Sequence, residues 1–213
     1  NKNADYRAED ILFSDGLCRF FAVTPNGVLS VRIPTEGLHN VYNALSAIAV
    51  GQTLGLTTEQ IKEGLLNFKN APLRQNIYDL NGMTVIEDCY NASPDSVAAA
   101  INVLRAKNGR KIAVLGDMLE LGSYSETAHR NVGEYASECK IDMLFTYGEQ
   151  SKFMADSANK SGLMNVYSFT DKNELTKSLL SEIQKGDTLL FKASRGMKLE
   201  EVFEKIYEQW DVK

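Results

Sequence analysis

The sequence predicts an α/β protein, most of it a parallel sheet covered by helices on both faces. Three observations point there. From about residue 76 onward, short apolar runs alternate with amphipathic stretches of helical period. The apolar runs are four to six residues long and end in glycine or polar residues, as buried strands do. Helix-capping residues then follow the strand ends, as βαβ units require. With right-handed crossovers, such an alternation gives a Rossmann-like domain.

The chain opens differently. Ile11 to Phe13, Cys18 to Val23 and Val28 to Ile33 read as strands, separated by the turns Ser14-Asp15-Gly16 and Pro25-Asn26-Gly27. Asp-Gly and Asn-Gly between apolar alternations are strong hairpin signals. Pro34 to Gly37 breaks the pattern. A helix is expected from His39 to Leu54, with Val41, Leu45, Ile48 and Ala49 as its apolar stripe. A second opens at Thr57, where Thr57 and Gln60 are spaced as a capping box. Ile61, Leu65, Leu66 and Phe68 are its expected buried face. Ala71 to Arg74 ends the helical part.

Gln75 to Leu80 and Met83 to Ile86 flank Asn81-Gly82, a further hairpin signal. Ser93 and Pro94 then start a helix to about Leu104, as N-cap and first helical residue. Strands follow at Lys111 to Leu115, Met143 to Thr146, Val166 to Phe169 and Thr188 to Phe191. The intervening helices are Ser125 to Cys139, Ser151 to Asn159 and Asp171 to Gln184. A last amphipathic helix is read from Met197 to Gln209, with Leu199, Val202, Phe203, Ile206 and Trp210 as core.

Composition excludes several classes. The 213 residues carry a net charge of −5, which argues against a general nucleic-acid binder. The three cysteines, Cys18, Cys89 and Cys139, are scattered and odd in number. They suggest no disulfide framework or zinc site and fit a reducing cytoplasm. His39 and His129 are the only imidazoles. They are remote in sequence, so no metal site is expected. No apolar run approaches the roughly 18–20 residues of a membrane span, and no signal peptide is recognisable. A start at Asn1 without Met fits either a true terminus or a cut in a longer protein. There is no Walker A loop and no Gly-x-Gly-x-x-Gly after a strand, which disfavours a dehydrogenase. Neither histidine lies near a convincing nucleophile signature.

In open parallel sheets, ligands bind outside the carboxyl ends of the strands. Four such ends are polar here: Glu87 to Asn91, Gly116 to Gly122, Tyr147 to Glu149 and Lys192 to Gly196. Lys192 and Arg195 are expected to face Asp88 and Asp117. A rim with both charge signs suits a zwitterion such as an amino acid or peptide, its carboxylate on a cation and its ammonium on a carboxylate. His39 and Asn43 share one helix face, and an asparagine amide can pair with an adenine edge. Spacing alone favours capping by His39 or Asn40 and a solvated Asn43.

The motifs Gly37-x-His39-Asn40-Val41-x-Asn43-Ala44-Leu45-x-Ala47, Pro72-x-Arg74 and Glu87-Asp88-x-Tyr90-Asn91-Ala92-Ser93-Pro94-Asp95-Ser96 come in this order. Gly116-Asp117-Met118-x-Glu120-Leu121-Gly122 with His129, and Lys192-Ala193-Ser194-Arg195-Gly196-Met197, complete the set. Together they resemble the Mur ligase family over nearly the whole chain. Within it, they are most similar to the member that adds D-alanyl-D-alanine to UDP-N-acetylmuramoyl-tripeptide. The resemblance implies an ATP-dependent amide ligase of peptidoglycan precursor synthesis, cytoplasmic and bacterial, built of three domains. Residues 1–75 would be the last part of the central ATP-binding domain, and 76–213 the Rossmann-like acceptor-binding domain. The phosphate-loop lysine and most Mg2+ ligands would lie outside this sequence, leaving the chain inactive alone. By resemblance, His39 and Asn43 flank the adenine. Arg74 reaches the ribose or phosphates and the transferring phosphoryl group, and Asp88 accepts from the ribose hydroxyls. Asn91, Asp117, Lys192, Ser194 and Arg195 are the candidates for the acceptor dipeptide. Glu87 stands where the family often has Asp, and Ala193 where it usually has Gly. The competing reading is a non-catalytic Rossmann-like module that binds an amino acid or nucleotide.

Overall fold

A computed structural model describes residues 3–14 and 16–210. The chain divides into two compact units between Asn70 and Ala71. In the first, β1 (Arg7–Ser14), β2 (Leu17–Thr24) and β3 (Gly27–Ile33) form an antiparallel sheet in that order. Cys18, Phe20 and Ala22 pair with Ile33, Val31 and Leu29, so one face of β2 and β3 is apolar and buried. On it lie α1 (Leu38–Thr53) and α2 (Thr58–Leu66), through Val41, Ala44, Leu45, Ile48 and Ile61.

The sequence pattern missed the start of β1. Asp10 has φ 52°, and the pairing with β2 shifts register between Glu9 and Leu12, which hides the alternation. The turn at Asp15 lies outside the described residues. The second turn is Pro25-Asn26, because Gly27 already pairs with Thr24. The Thr57–Gln60 capping box forms. Leu66 and Phe68 are exposed, against expectation: α2 ends at Leu66, so neither joins the Ile61–Leu65 stripe.

The second unit is one six-stranded sheet. Its elements run β4 (Asn76–Leu80), β5 (Met83–Glu87), α3 (Pro94–Arg105), β6 (Lys111–Gly116), α4 (Ser125–Glu138), β7 (Met143–Tyr147), α5 (Ser151–Lys160), β8 (Val166–Phe169), α6 (Lys172–Glu182), β9 (Thr188–Lys192) and α7 (Glu200–Trp210). The strand order is β4-β5-β9-β6-β7-β8, with only the β4–β5 pair antiparallel. Asn81 at φ 48° and Gly82 at φ 86° make the tight β4–β5 turn, the two positive φ values of a type I′ loop.

Strand alternation divides the core into two layers. Ile86, Ala113, Leu115, Leu144 and Leu190 meet α3, α4 and α5 on one face. Val85, Ile112, Val114, Phe145, Leu189 and Phe191 meet α6 and α7 on the other. Ser93 caps α3 with Pro94 in its first turn, and Asp171 caps α6 through the Asn173 and Glu174 amides. The last helix begins at Glu200 and not Met197. Arg195–Met197 is a 3₁₀ turn and Lys198 has φ 48°, which breaks the helical path. None of the described helices is long and apolar enough to cross a membrane.

Candidate functional site

The carboxyl ends of β5, β9, β6 and β7 lie side by side at one sheet edge. Backbone hydrogen bonds carry the ladder past the strands: Asp88 N–H to Phe191 O (2.9 Å), Asp117 N–H to Tyr147 O and Ser194 N–H to Asp117 O (both 3.1 Å). Loops far apart in sequence are thereby fixed against one another.

Lys192 ends the central strand β9 and is 2% exposed. Its ammonium donates to Asp88 Oδ2 at 2.6 Å and to Asn91 O at 3.0 Å. A lysine so buried needs this pairing, because an unpaired charge there would be expelled or neutralised. Asp88 Oδ1 accepts the Gln75 amide at 3.3 Å. One carboxylate therefore ties β9 to the segment that precedes β4.

Arg74 sits in that segment. Its neighbours Leu73 and Gln75 have φ 61° and 48°. A left-handed conformation costs a non-glycine residue roughly 1–2 kcal/mol. Tyr90 N–H donates to Leu73 O at 3.0 Å, and the Arg74 guanidinium lies 4.0 Å from the centre of the Tyr90 ring. Arg74 and Tyr90 are both exposed.

Asp117 is not met by Arg195. Its Oδ1 accepts from the Ser151 amide (2.7 Å) and hydroxyl (2.6 Å), and its Oδ2 from the Gln150 amide (3.3 Å). It thus serves the amino end of α5, where a carboxylate complements the free amides and the helix dipole. Gly148, at φ 120°, makes room: a Cβ there would lie 2.4 Å from the carboxylate. Arg195 instead pairs with Glu200 on α7, whose other oxygen, Oε2, is buried without a partner.

His129 had no assigned role in the sequence reading. It is fully buried, and Nε2 accepts the Met118 amide at 3.0 Å while Nδ1 donates to Ser125 O at 2.8 Å. Ser194 Oγ accepts the Leu119 amide at 2.9 Å and lies 3.4 Å from Ala92 O. The loop after β6 is therefore held from two sides. Ala193 is fully buried, and a Cβ on Gly116 would come within 2.7 Å of its methyl. The extra methyl at position 193 thus fits against a glycine on the neighbouring strand.

Asn91 is exposed, with Oδ1 accepting the Ala92 amide at 2.9 Å. Glu87 is buried beneath the rim and accepts the Tyr78 hydroxyl at 3.2 Å. Burial pushes its carboxyl up, Glu200 and Glu204 add to this, and the Tyr78 hydrogen bond opposes it. Burial also pushes the Cys89 thiol far up, so it is a core thiol and no nucleophile.

His39 and Asn43 belong to the first unit. Both are exposed on α1, and Asn43 Nδ2 donates to Asn40 Oδ1 at 3.3 Å. The expected capping by His39 or Asn40 does not occur. Gly37 is the N-cap and uses no side chain, while the Asn40 amide turns back to Thr35 Oγ1 and Glu36 O. Among the described residues, no group of three or more His, Cys, Asp and Glu side chains is placed to hold a metal ion.

The second unit therefore presents Arg74, Arg195 and Asn91 outward. Behind them Asp88, Lys192, Asp117, Ser194 and His129 fix the loops. The open Arg74 guanidinium suits carboxylate and phosphoryl oxygens, whereas Arg195 is already shared with Glu200.

A mostly parallel sheet with this rim is the fold of a ligase domain: residues 73–195 match the family described as Mur ligase, glutamate ligase domain. That is more than half of the chain, and the chain belongs to the Mur ligase family. It is 40% identical over 209 residues to the UDP-N-acetylmuramoyl-tripeptide–D-alanyl-D-alanine ligase of Bacillus subtilis (strain 168), covering 96% of this chain and 45% of that protein. The Escherichia coli (strain K12) ligase of the same name is 37% identical over 210 residues, covering 97% and 45%. Among solved structures, MurF from Acinetobacter baumannii superposes with a TM-score of 0.89 at 32% identity, covering 98% of this chain and 46% of that one. The MurF ligase from Thermotoga maritima in complex with ADP gives 0.85 at 26% identity, covering 99% and 48%. The chain spans about half the length of the curated relatives it matches.

Proposed function

We propose that this chain is the carboxyl-terminal part of a cytoplasmic, ATP-dependent ligase that joins D-alanyl-D-alanine to UDP-N-acetylmuramoyl-tripeptide in peptidoglycan precursor synthesis. The observation that carries this reading is the identity, over nearly all of the chain, to relatives bearing that reaction in their names. The outward rim of Arg74, Arg195 and Asn91 supports it, and so does the ADP complex of a similar structure. The first compact unit supplies part of the ATP-binding domain and the second the acceptor-binding domain, with the boundary at 70/71 and not at the expected 75/76.

In the reaction, a peptide carboxylate oxygen attacks the γ-phosphorus of ATP, and ADP leaves with the bridging oxygen. The amine of D-alanyl-D-alanine then attacks the acyl carbon of the acyl phosphate. Phosphate leaves, and the nitrogen gives up a proton. The protein's largest task is to stabilise charge on the transferring phosphoryl group. This reading gives that role to Arg74, which is exposed and pairs with no carboxylate among the described residues. Arg195, Asn91 and Lys192 are assigned to the acceptor dipeptide and Asp88 to the ribose hydroxyls, with Lys192 holding the Asp88 carboxylate. Asp117 and Ser194 act on the acceptor through the loop they fix. His39 and Asn43 flank the adenine. Mg2+, when bound with ATP, neutralises phosphate charge, and its ligands lie mainly in sequence beyond this chain. The chain alone is inactive.

The test is phosphate release by the full-length protein. Release should require ATP, UDP-N-acetylmuramoyl-tripeptide and D-alanyl-D-alanine together. Arg74→Ala should lower kcat by about 10²–10³, the usual loss for one transition-state donor. Turnover without the dipeptide would overturn the reaction, and near-wild-type turnover in Arg74→Ala would overturn the role of Arg74.

A further inference from the structure

Arg74 is held by an unusual set of contacts. Leu73 and Gln75 both take left-handed backbone conformations, and the intervening Arg74 is exposed. The segment is stitched down on either side of Arg74, by Tyr90 N–H to Leu73 O at 3.0 Å and by Gln75 N–H to Asp88 Oδ1 at 3.3 Å. Asp88 is itself fixed by buried Lys192 at 2.6 Å. The backbone of Arg74 and the backbone of Tyr90 thus belong to one rigid frame.

Within that frame the guanidinium carbon lies 4.0 Å from the Tyr90 ring centre. Among the described residues, no carboxylate pairs with Arg74. A guanidinium whose carbon sits over a ring, and which no carboxylate engages, keeps N–H donors available at its edge. An aromatic face attracts the cation without neutralising it, whereas a carboxylate would occupy the donors and cancel the charge. The side chain would otherwise sample many rotamers, and ordering it on binding would cost entropy at the moment of reaction.

We infer that Tyr90 is the positioning residue for Arg74: its ring is a shelf that pre-orients the guanidinium with its donor edge open to an incoming phosphoryl oxygen. The inference rests on the role proposed above for Arg74. The ring does the work and the phenol hydroxyl does not, so phenylalanine should substitute and an aliphatic residue should not.

The experiment uses the full-length enzyme with Tyr90→Leu, Tyr90→Phe, Arg74→Ala and the Tyr90→Leu/Arg74→Ala pair. Tyr90→Leu should lower kcat roughly 3- to 30-fold, the range of one cation–π contact, with little change in KM for D-alanyl-D-alanine. Tyr90→Phe should restore the rate, and Tyr90→Leu should cost nothing further once Arg74 is alanine. A second readout needs no activity. In the 213-residue chain, the Arg74 Nε–H proton resonance should carry a ring-current shift that Tyr90→Phe keeps and Tyr90→Leu removes. Equal loss in the Phe and Leu variants, full additivity in the pair, or an unshifted resonance would each overturn the shelf while leaving the role of Arg74 intact. An active Arg74→Ala enzyme would overturn that role, and the shelf's catalytic purpose with it.

Discussion

Replacing His129 by phenylalanine separates the two things this side chain does. The phenyl ring keeps most of the imidazole volume at a fully buried position. It removes the acceptor for the Met118 amide (3.0 Å) and the donor to Ser125 O (2.8 Å). Ser125 O retains its place in the first turn of α4, but the Met118 amide is buried with no alternative partner in view. Leaving such a group unsatisfied costs about 1–3 kcal/mol. For a unit of this size that lowers Tm by roughly 2–4 °C per kcal/mol. His129→Ala adds an unfilled cavity and should cost about 3–5 kcal/mol. Trp210 is the single tryptophan and lies in the same unit, so its fluorescence during urea unfolding reports on the unfolding of that unit as a whole. If His129→Phe unfolds at the wild-type midpoint while His129→Ala does not, His129 contributes volume alone and the latch on the Met118 amide is wrong.

Two further outcomes test the rim. Glu87 is held above the ordinary carboxylate range chiefly by burial, so the folded state binds its proton more tightly than the unfolded state. Stability from this group is greatest at low pH and falls as pH rises from the unfolded value of about 4.3 towards the folded one. Glu87→Gln should therefore gain stability relative to wild type between acidic and neutral pH; parallel curves would refute this. Lys192→Met strands Asp88, and breaking a buried pair costs about 3–5 kcal/mol. Arg130→Met, at an exposed pair, should cost clearly less, because solvent and salt screen such pairs. Equal losses by urea titration would show that the Lys192–Asp88 pair is not structural.

The alternation of strands and helices was legible because each local signal agreed with the next. Asn81-Gly82, Ser93-Pro94 and Asp171 each announce a turn or cap that the structure forms. Which strands become neighbours was not legible, since right-handed crossovers permit several orders. The rim could be listed from its strand ends, but not its division of labour. The pairing of Lys192 with Asp88 was legible, but not that the central position of β9 buries the lysine. Asp117 is expected to face Arg195, but its carboxylate is held by the Gln150 and Ser151 amides and the Ser151 hydroxyl, a pairing the sequence does not signal. The same holds for His129 and the Met118 amide. Glu200 was overlooked because a helix read from Met197 hid the break at Lys198 that brings it back to Arg195. Tyr90 and Arg74 lie sixteen positions apart, and only the left-handed turn at residues 73–75 makes them meet.

The position of β9 bears on how the second unit is made. It is the last of the described strands, yet it lies between β5 and β6, in the middle of the sheet. During synthesis, β5 and β6 emerge with a strand-wide gap between them. They cannot close on each other without discarding the register each shares with β9. Both apolar layers stay open until Leu189, Leu190 and Phe191 have left the ribosome. Pairing over such sequence distances is slow, and the waiting edges are open to aggregation. A ribosome stalled before residue 188 would release a chain lacking the centre of its sheet, and with it the lysine that joins the two halves of the rim.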